Sequence, residues 1–216
     1  MMHQIAGIVL AGGKSSRFGS DKGLYPYQGK PLAEHAIDIL RPNFSNLIVS
    51  TNNPDAYAYL NLPMVSDIYP GCGPIGGIYS ALCKVGAKIF SPLRGTTKQG
   101  VPQHSPPHQR KMSIAVISCD TPHVPPELFA FLKENLGSHD AVVPVHEGFK
   151  ETTCAIYTTG CLPYLEQAIK HKRYKILDAL EEANTLFLDV PTANFYKPGM
   201  FHNINYLADV EDRRRR

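Results

Sequence analysis

Ile5-Ala6-Gly7-Ile8-Val9-Leu10-Ala11-Gly12-Gly13 begins with an unbroken apolar run and ends on a turn of small residues. A strand half in water would alternate polar and apolar side chains; this one does not, so both of its faces are to be covered. Strands of that kind belong to parallel sheets whose crossovers carry helices. Working outward, the same unit recurs. Residues 31–40 predict a helix: Leu32, Ala36, Ile39 and Leu40 share a face, and Pro31 suits the first turn. A second strand is read at 46–50, then a polar turn and a helix near 55–60. Met64-Val65 reads as a short strand before the turn-rich Tyr69-Pro70-Gly71-Cys72-Gly73-Pro74, and a helix over about 76–84 follows.

Beyond these lie an apolar β-branched run at 114–118, the turn Cys119-Asp120-Thr121-Pro122 and a helix over 125–136. Strands at 141–145, 155–158 and 185–189 and helices at 161–170 and 175–183 complete the chain. This alternation predicts an α/β fold of three layers, α/β/α, around a Rossmann-like, mostly parallel sheet. No internal repeat is found.

A chain of 216 residues, 43% hydrophobic, can bury one sizeable core, and a single domain is expected over 1–212. Residues 88–112 break the pattern: Pro92, Pro102, Pro106 and Pro107 among polar residues cannot pack a core, so a mobile insert between a helix and a strand is expected. His104 and His108 stand four apart there, but the two prolines between them argue against a metal-binding helix.

The formal charge of +3 is unevenly spread. A basic tail at 213–216 holds four of the 22 cations, and Lys88, Arg94, Lys98, Arg110 and Lys111 fall in the acid-free insert. The remaining body is therefore acidic, and no nucleic-acid partner is expected. Cys72, Cys83, Cys119, Cys154 and Cys161 are odd in number, with neither C-x-x-C nor zinc-finger spacing. That usage predicts a reducing cytoplasm rather than a disulfide framework. The chain start lacks a signal-peptide pattern, and no apolar run approaches the ~20 residues of a membrane span, so no membrane partner is expected.

The chemistry is read first from the exit of the first strand: Leu10-Ala11-Gly12-Gly13-Lys14-Ser15-Ser16-Arg17-Phe18-Gly19-Ser20-Asp21-Lys22. In an α/β sheet, ligands gather where strands end. Gly12 and Gly13 let backbone N–H groups approach phosphate oxygens, while Arg17 offers a cationic fork and Lys22 a point charge. A Walker loop would need glycine at position 8, where isoleucine stands, and the dinucleotide fingerprint G-x-G-x-x-G is absent. Asp120 follows an apolar run and should sit at another strand exit. Mg²⁺ takes one or two carboxylates together with phosphate oxygens and water, which makes Asp120 the candidate metal ligand; a turn-forming aspartate is the alternative. Asn52, in the polar turn after the second strand, could reach a base edge or serve the turn alone. Arg173 and Lys175 read as solvated helix-end charges.

The first loop resembles the signature L-A-G-G-x-S-x-R-x-G-x-x-K of the MobA-like nucleotidyltransferases, and within them that of the molybdenum cofactor guanylyltransferases. Further segments match in the same order. Gly29-Lys30-Pro31-Leu32 resembles the segment opening the first helix, Asp67 with Gly73-Pro74-Ile75-Gly76-Gly77-Ile78 the D…G-P-L-x-G segment, and Cys119-Asp120-Thr121-Pro122 the C-D-x-P metal site. Phe201-His202-Asn203-Ile204-Asn205 resembles F-x-N-x-N. The insert, Thr152-Thr153-Cys154 and Tyr206-Leu207-Ala208-Asp209 depart from the pattern.

The resemblance implies the nucleotide-diphospho-sugar transferase type of fold. It also implies a cytoplasmic, Mg²⁺-dependent enzyme that transfers GMP from GTP to molybdopterin with release of pyrophosphate. Leu10, Ala11, Gly12, Gly13, Lys22, Asn52, Asp67 and Asp120 would bind nucleotide, with Arg17, Lys22 and Asp120 catalytic. Asn203 and Asn205 would face the acceptor. Contact with other molybdenum cofactor biosynthesis or acceptor proteins is implied as well. Two alternatives stay open: a cytidylyltransferase or sugar-1-phosphate nucleotidyltransferase of the same fold, and a non-catalytic nucleotide-binding regulator.

Overall fold

The opening run forms the middle of the sheet. The computed structural model describes residues 5–12, 21–87 and 111–204. Its first half contains β1 (Ile5–Leu10), β2 (Pro26–Tyr27), β3 (Lys30–Pro31), α1 (Leu32–Leu40), β4 (Leu47–Ser50), α2 (Pro54–Tyr57), β5 (Met64–Val65) and α3 (Pro74–Ala87). The second half contains β6 (Ser113–Ser118), α4 (Glu127–Glu134), β7 (Ala141–His146), β8 (Phe149–Lys150), β9 (Cys154–Thr158), α5 (Leu162–Lys170), α6 (Ile176–Glu182) and β10 (Thr185–Asp189). Among these residues, no helix is long and apolar enough to cross a membrane.

The main sheet runs β10-β7-β9-β6-β1-β4-β5, with β8 paired to β7. β1 lies parallel to both β4 and β6, β4 parallel to β5 and β10 parallel to β7. Only β9 and the short β8 oppose this direction. The expected three-layer architecture around a mostly parallel sheet is therefore present.

Every residue of β1 is buried, and the pleat sends alternate side chains to two separate cores. Ile5, Val9 and Ala11 join Leu32, Leu40, Phe44, Leu128 and Phe129 on the α1/α4 face. Ala6, Ile8 and Leu10 join Ile75, Ile78, Leu82, Leu165 and Leu180 on the α3/α5/α6 face. Glycine at position 7 is required by close packing: a Cβ there would lie 2.6 Å from Leu47 Cδ2 and 3.1 Å from Leu40 Cδ1.

Several boundaries differ from the sequence reading, for local reasons. The helix expected over 55–60 is a single α turn, α2, followed by a 3-10 turn at Ala58–Leu60, and Asn61 ends it in the left-handed conformation (φ 50°). α3 starts earlier than expected because Pro74 occupies its first position, and it runs on to Ala87. The β2–β3 and β7–β8 hairpins were not foreseen, since strands of two residues carry no periodicity to read.

Candidate active site

After β1 the chain steps to β4 on one side, and later returns to place β6 on the other. The crevice beyond the ends of β1 and β6 is thus the point where strand order reverses, the position at which α/β sheets bind ligands. Backbone bonds extend the sheet past its formal ends here: Ala11 N donates to Ser50 O at 2.9 Å, and Cys119 N to Leu10 O at 3.2 Å. Over the β1–β4 flank opens a cavity of about 670 Å³, whose wall includes Leu10, Gly12, Asn52, Asp67, Gly77 and Ser118. That volume suits a nucleotide-sized ligand.

The glycine in the first turn of α3 lets that helix approach the floor. A Cβ on Gly77 would lie 2.9 Å from Ser50 Oγ and 3.1 Å from Leu10 Cδ2. Backbone amides of a helix N-terminus on a cavity wall favour negative charge inside it.

Lys22 and Asp120 meet across the crevice, although 98 positions separate them in sequence. The Nζ–Oδ2 distance is 2.8 Å, with only 15% of the lysine and 20% of the aspartate side chain exposed. Each is held from behind. Asp21 caps the 3-10 turn Lys22–Leu24, its Oδ1 accepting from Gly23 N at 3.2 Å and from the Tyr57 hydroxyl at 2.6 Å. Tyr57 is fully buried. Burial first, then the adjoining Asp21 carboxylate, pushes its phenol far above the ordinary range, so it remains a donor. A Cβ on Gly23 would lie 2.3 Å from that hydroxyl. On the opposite side, Thr121 Oγ1 donates to Ser118 O at 3.0 Å, and Ile204 N donates to Asp120 O at 2.9 Å. Cys119, buried beside the pair, is pushed up to about 12 by burial and then by the Asp120 carboxylate, with Lys22 opposing. It is a neutral packing thiol and not a nucleophile.

Asn52 and Asp67 form a reciprocal clasp on the cavity wall. Asn52 Nδ2 donates to Asp67 Oδ2 at 2.8 Å, and Asp67 N donates to Asn52 Oδ1 at 2.9 Å. The neighbouring Ile68 N donates to Ser80 Oγ at 2.8 Å, and that hydroxyl donates to Gly76 O at 2.8 Å. The loop carrying Asp67 is thereby fastened to α3.

Of the other candidates, Gly13, Arg17 and Asn205 lie outside the described residues. Asn203 is exposed, one position before Ile204 and its bond to the Asp120 turn. Arg173 pairs with Glu182 at 2.8 Å, as a solvated helix-end charge would.

Three features went unread in the sequence. One is the Asp21–Tyr57 brace, which joins two residues with no local pattern linking them. Another is the bond from Ile204 to Asp120. The third is a group beyond β6: His146 stacks on Phe201 (4.6 Å, 21°) and meets Glu151 Oε1 at 2.8 Å. Glu147-Gly148 between two β-prone segments was an available hairpin signal for this last group. The segment at 152–154, which departs from the family pattern, is pinned by Ser118 N donating to Thr153 O at 2.9 Å and by the Tyr157 hydroxyl donating to Thr152 O.

Among the described residues, no three His, Cys, Asp or Glu side chains converge to enclose an ion. Asp120 could hold a cation only in company with phosphate oxygens and water. A single carboxylate at a phosphate site is a donor set that Mg²⁺ accepts, so the residues present fit it.

Comparison with known proteins defines the class. Residues 7–184 match the family model of the MobA-like NTP transferase domain, which makes this chain a nucleotidyltransferase. A protein of Carboxydothermus hydrogenoformans named "Probable molybdenum cofactor guanylyltransferase" is 30% identical over 97% of this chain and 95% of its own length. The molybdenum cofactor guanylyltransferase of Pasteurella multocida is 28% identical over 94% of this chain and 96% of its own. The crystal structure of molybdopterin-guanine dinucleotide biosynthesis protein A from Archaeoglobus fulgidus superposes with a TM-score of 0.73 at 25% identity, covering 96% of each chain. The chain belongs to the MobA-like NTP transferase family.

Proposed function

We propose that this chain transfers GMP from GTP to molybdopterin in the cytoplasm, with Mg²⁺, yielding the guanine dinucleotide cofactor and pyrophosphate. The observation that carries the reading is the Lys22–Asp120 pair, 2.8 Å apart at the sheet's switch point and beside a nucleotide-sized cavity. The names borne by the relatives supply the substrates.

In this reading the acceptor's terminal phosphate oxygen attacks the α-phosphorus of GTP in line, and the bond to the β-phosphate oxygen breaks. The attacking oxygen is already anionic, so no general base is needed and positioning carries the rate. Leu10, Ala11, Gly12 and Gly13 present backbone to the phosphates. A triphosphate offers the Lys22 ammonium a stronger anion than one carboxylate does, and with Lys22 so engaged Asp120 is the residue that would hold a cation. Mg²⁺ there would supply neutralisation of charge on the phosphate oxygens. Lys22 and Arg17 stabilise the departing pyrophosphate. Asp67 and Asn52 meet the guanine edge, because a carboxylate accepts from ring N–H and amino groups. Asn203 and Asn205 face the acceptor.

The test is incubation with molybdopterin, GTP and Mg²⁺, with mass detection of the dinucleotide and assay of pyrophosphate. One pyrophosphate per dinucleotide is expected. Equal product from CTP or ATP would remove the guanine assignment, and no product from any nucleotide would remove the enzymatic one.

A further inference from the structure

The nucleotide cavity occupies the β1–β4 flank of the crevice, so an acceptor whose phosphate meets Lys22 and Asp120 has to approach from the opposite flank. There the sheet continues through β9 to β7. β7 runs parallel to β6, since both pair antiparallel with β9. Its last residue, His146, therefore emerges at the same edge as Asp120. Two strand spacings separate β7 from β6, roughly 10 Å.

At that place the chain builds a stack of rings. Glu147 (φ 48°) and Gly148 (φ 82°) both adopt positive φ, which closes a tight two-residue hairpin and sets His146 opposite Phe149. Phe149 lies 5.9 Å from the His146 ring, tilted by 38°, and His146 in turn lies 4.6 Å from Phe201. Glu151 fixes the imidazole through Nε2 at 2.8 Å. Phe201 is buried, whereas Phe149 is 64% exposed. The hairpin's other aromatic neighbour is already covered, because Lys150 Nζ sits 4.3 Å above the Phe187 ring. Short backbone leads from the stack to the reaction centre: three residues past Phe201, Ile204 N bonds Asp120 O.

A single exposed ring is ordinary on a protein surface. A ring resting against a second that is itself stacked on a buried third is a prepared stacking platform, because less freedom remains to be lost when a flat ligand lands on it. We propose that Phe149, backed by His146 and Phe201, seats the pterin ring system of the acceptor, with Glu151 beside it to accept from the pterin's amino and ring N–H donors. This rests on the reading that molybdopterin is the acceptor. It deepens that reading by assigning the end of the acceptor remote from the reacting phosphate to the β7–β8 hairpin.

The experiment compares wild type with Phe149→Ala, Phe149→Leu and Phe149→Tyr, measuring the acceptor KM in the dinucleotide assay and the GTP Kd by calorimetry. Phe149 is exposed, so the variants should fold. Loss of the ring in Phe149→Ala and Phe149→Leu should raise the acceptor KM about tenfold. Phe149→Tyr should restore it, and the GTP Kd should stay constant across the series. An unchanged acceptor KM in Phe149→Ala, or leucine serving as well as phenylalanine, overturns the platform while leaving the function standing. A wild-type chain that makes no dinucleotide from molybdopterin overturns the function itself.

Discussion

Two places along the carboxyl edge of the same sheet handle polar groups in opposite ways. Beyond β1 and β6 an ammonium faces a carboxylate in a single part-buried contact between residues 98 apart in sequence. Beyond β4 and β5, Asn52 and Asp67, 15 apart, exchange two directional hydrogen bonds in an exposed position. The first arrangement is held by charge and can trade partners when a more highly charged ligand arrives. The second is held by geometry and presents a fixed pattern of donors and acceptors. Charge at a reaction centre lowers barriers, whereas a fixed hydrogen-bond pattern discriminates between ligands of similar charge. In the proposed function, rate and selection are thus separated across one cavity.

The separation is breakable. Asp120→Ala should lower kcat by about 10²–10³ without changing which nucleotide is preferred; near-normal Mg²⁺-dependent turnover would break the assignment at the charged end. Lys22→Met should cost about 10² in kcat, with the pH profile of the residual activity unshifted. Asp67→Asn should instead weaken GTP binding about tenfold and narrow the preference for GTP over ATP, with a smaller change in kcat. Calorimetric titration of both nucleotides checks this, and a kcat loss matching that of Asp120→Ala would erase the distinction. Tyr57→Phe removes the 2.6 Å bond to Asp21, which should cost about 1 kcal/mol of stability. It should also lower kcat several-fold if Tyr57 works by positioning Lys22.

The smallest effect concerns alkaline stability. Cys119 and Cys154 are pushed up to about 12, by burial first, from an ordinary 9.0. Their neutral forms are favoured by the folded state. This contribution is complete below about 9 and is lost as pH climbs toward about 12. The urea midpoint should be lower in that upper window than at pH 7, and Cys119→Ser should flatten the decline.

The charged end was readable in the sequence and the selecting end only partly so. An apolar run followed by Gly12-Gly13, and another followed by Asp120, announce strand exits, because buried strands leave long apolar signatures. The clasp does not show itself that way. Asp67 and Asn52 each read as a residue free to meet a base, and only the fold reveals that each is the other's partner. Strand direction was also hidden. β9 is buried throughout, and a strand covered on both faces reads the same whether it runs parallel or antiparallel. The β7–β8 hairpin and the contact from Ile204 to Asp120 depend on pairings too short or too distant for any periodicity to register.

The bond from Ile204 to Asp120 has a consequence for the order in which the molecule becomes competent. Every residue named in the wall of the nucleotide cavity lies at or before Ser118, so that half of the crevice is encoded in the first part of the message. The strap that joins the Asp120 turn to the aromatic stack arrives only with Phe201 to Ile204. A ribosome therefore delivers the residues that line the cavity before those that tie the Asp120 turn to the aromatic stack, and the earlier ones complete their packing only when Leu128, Phe129, Leu165 and Leu180 follow.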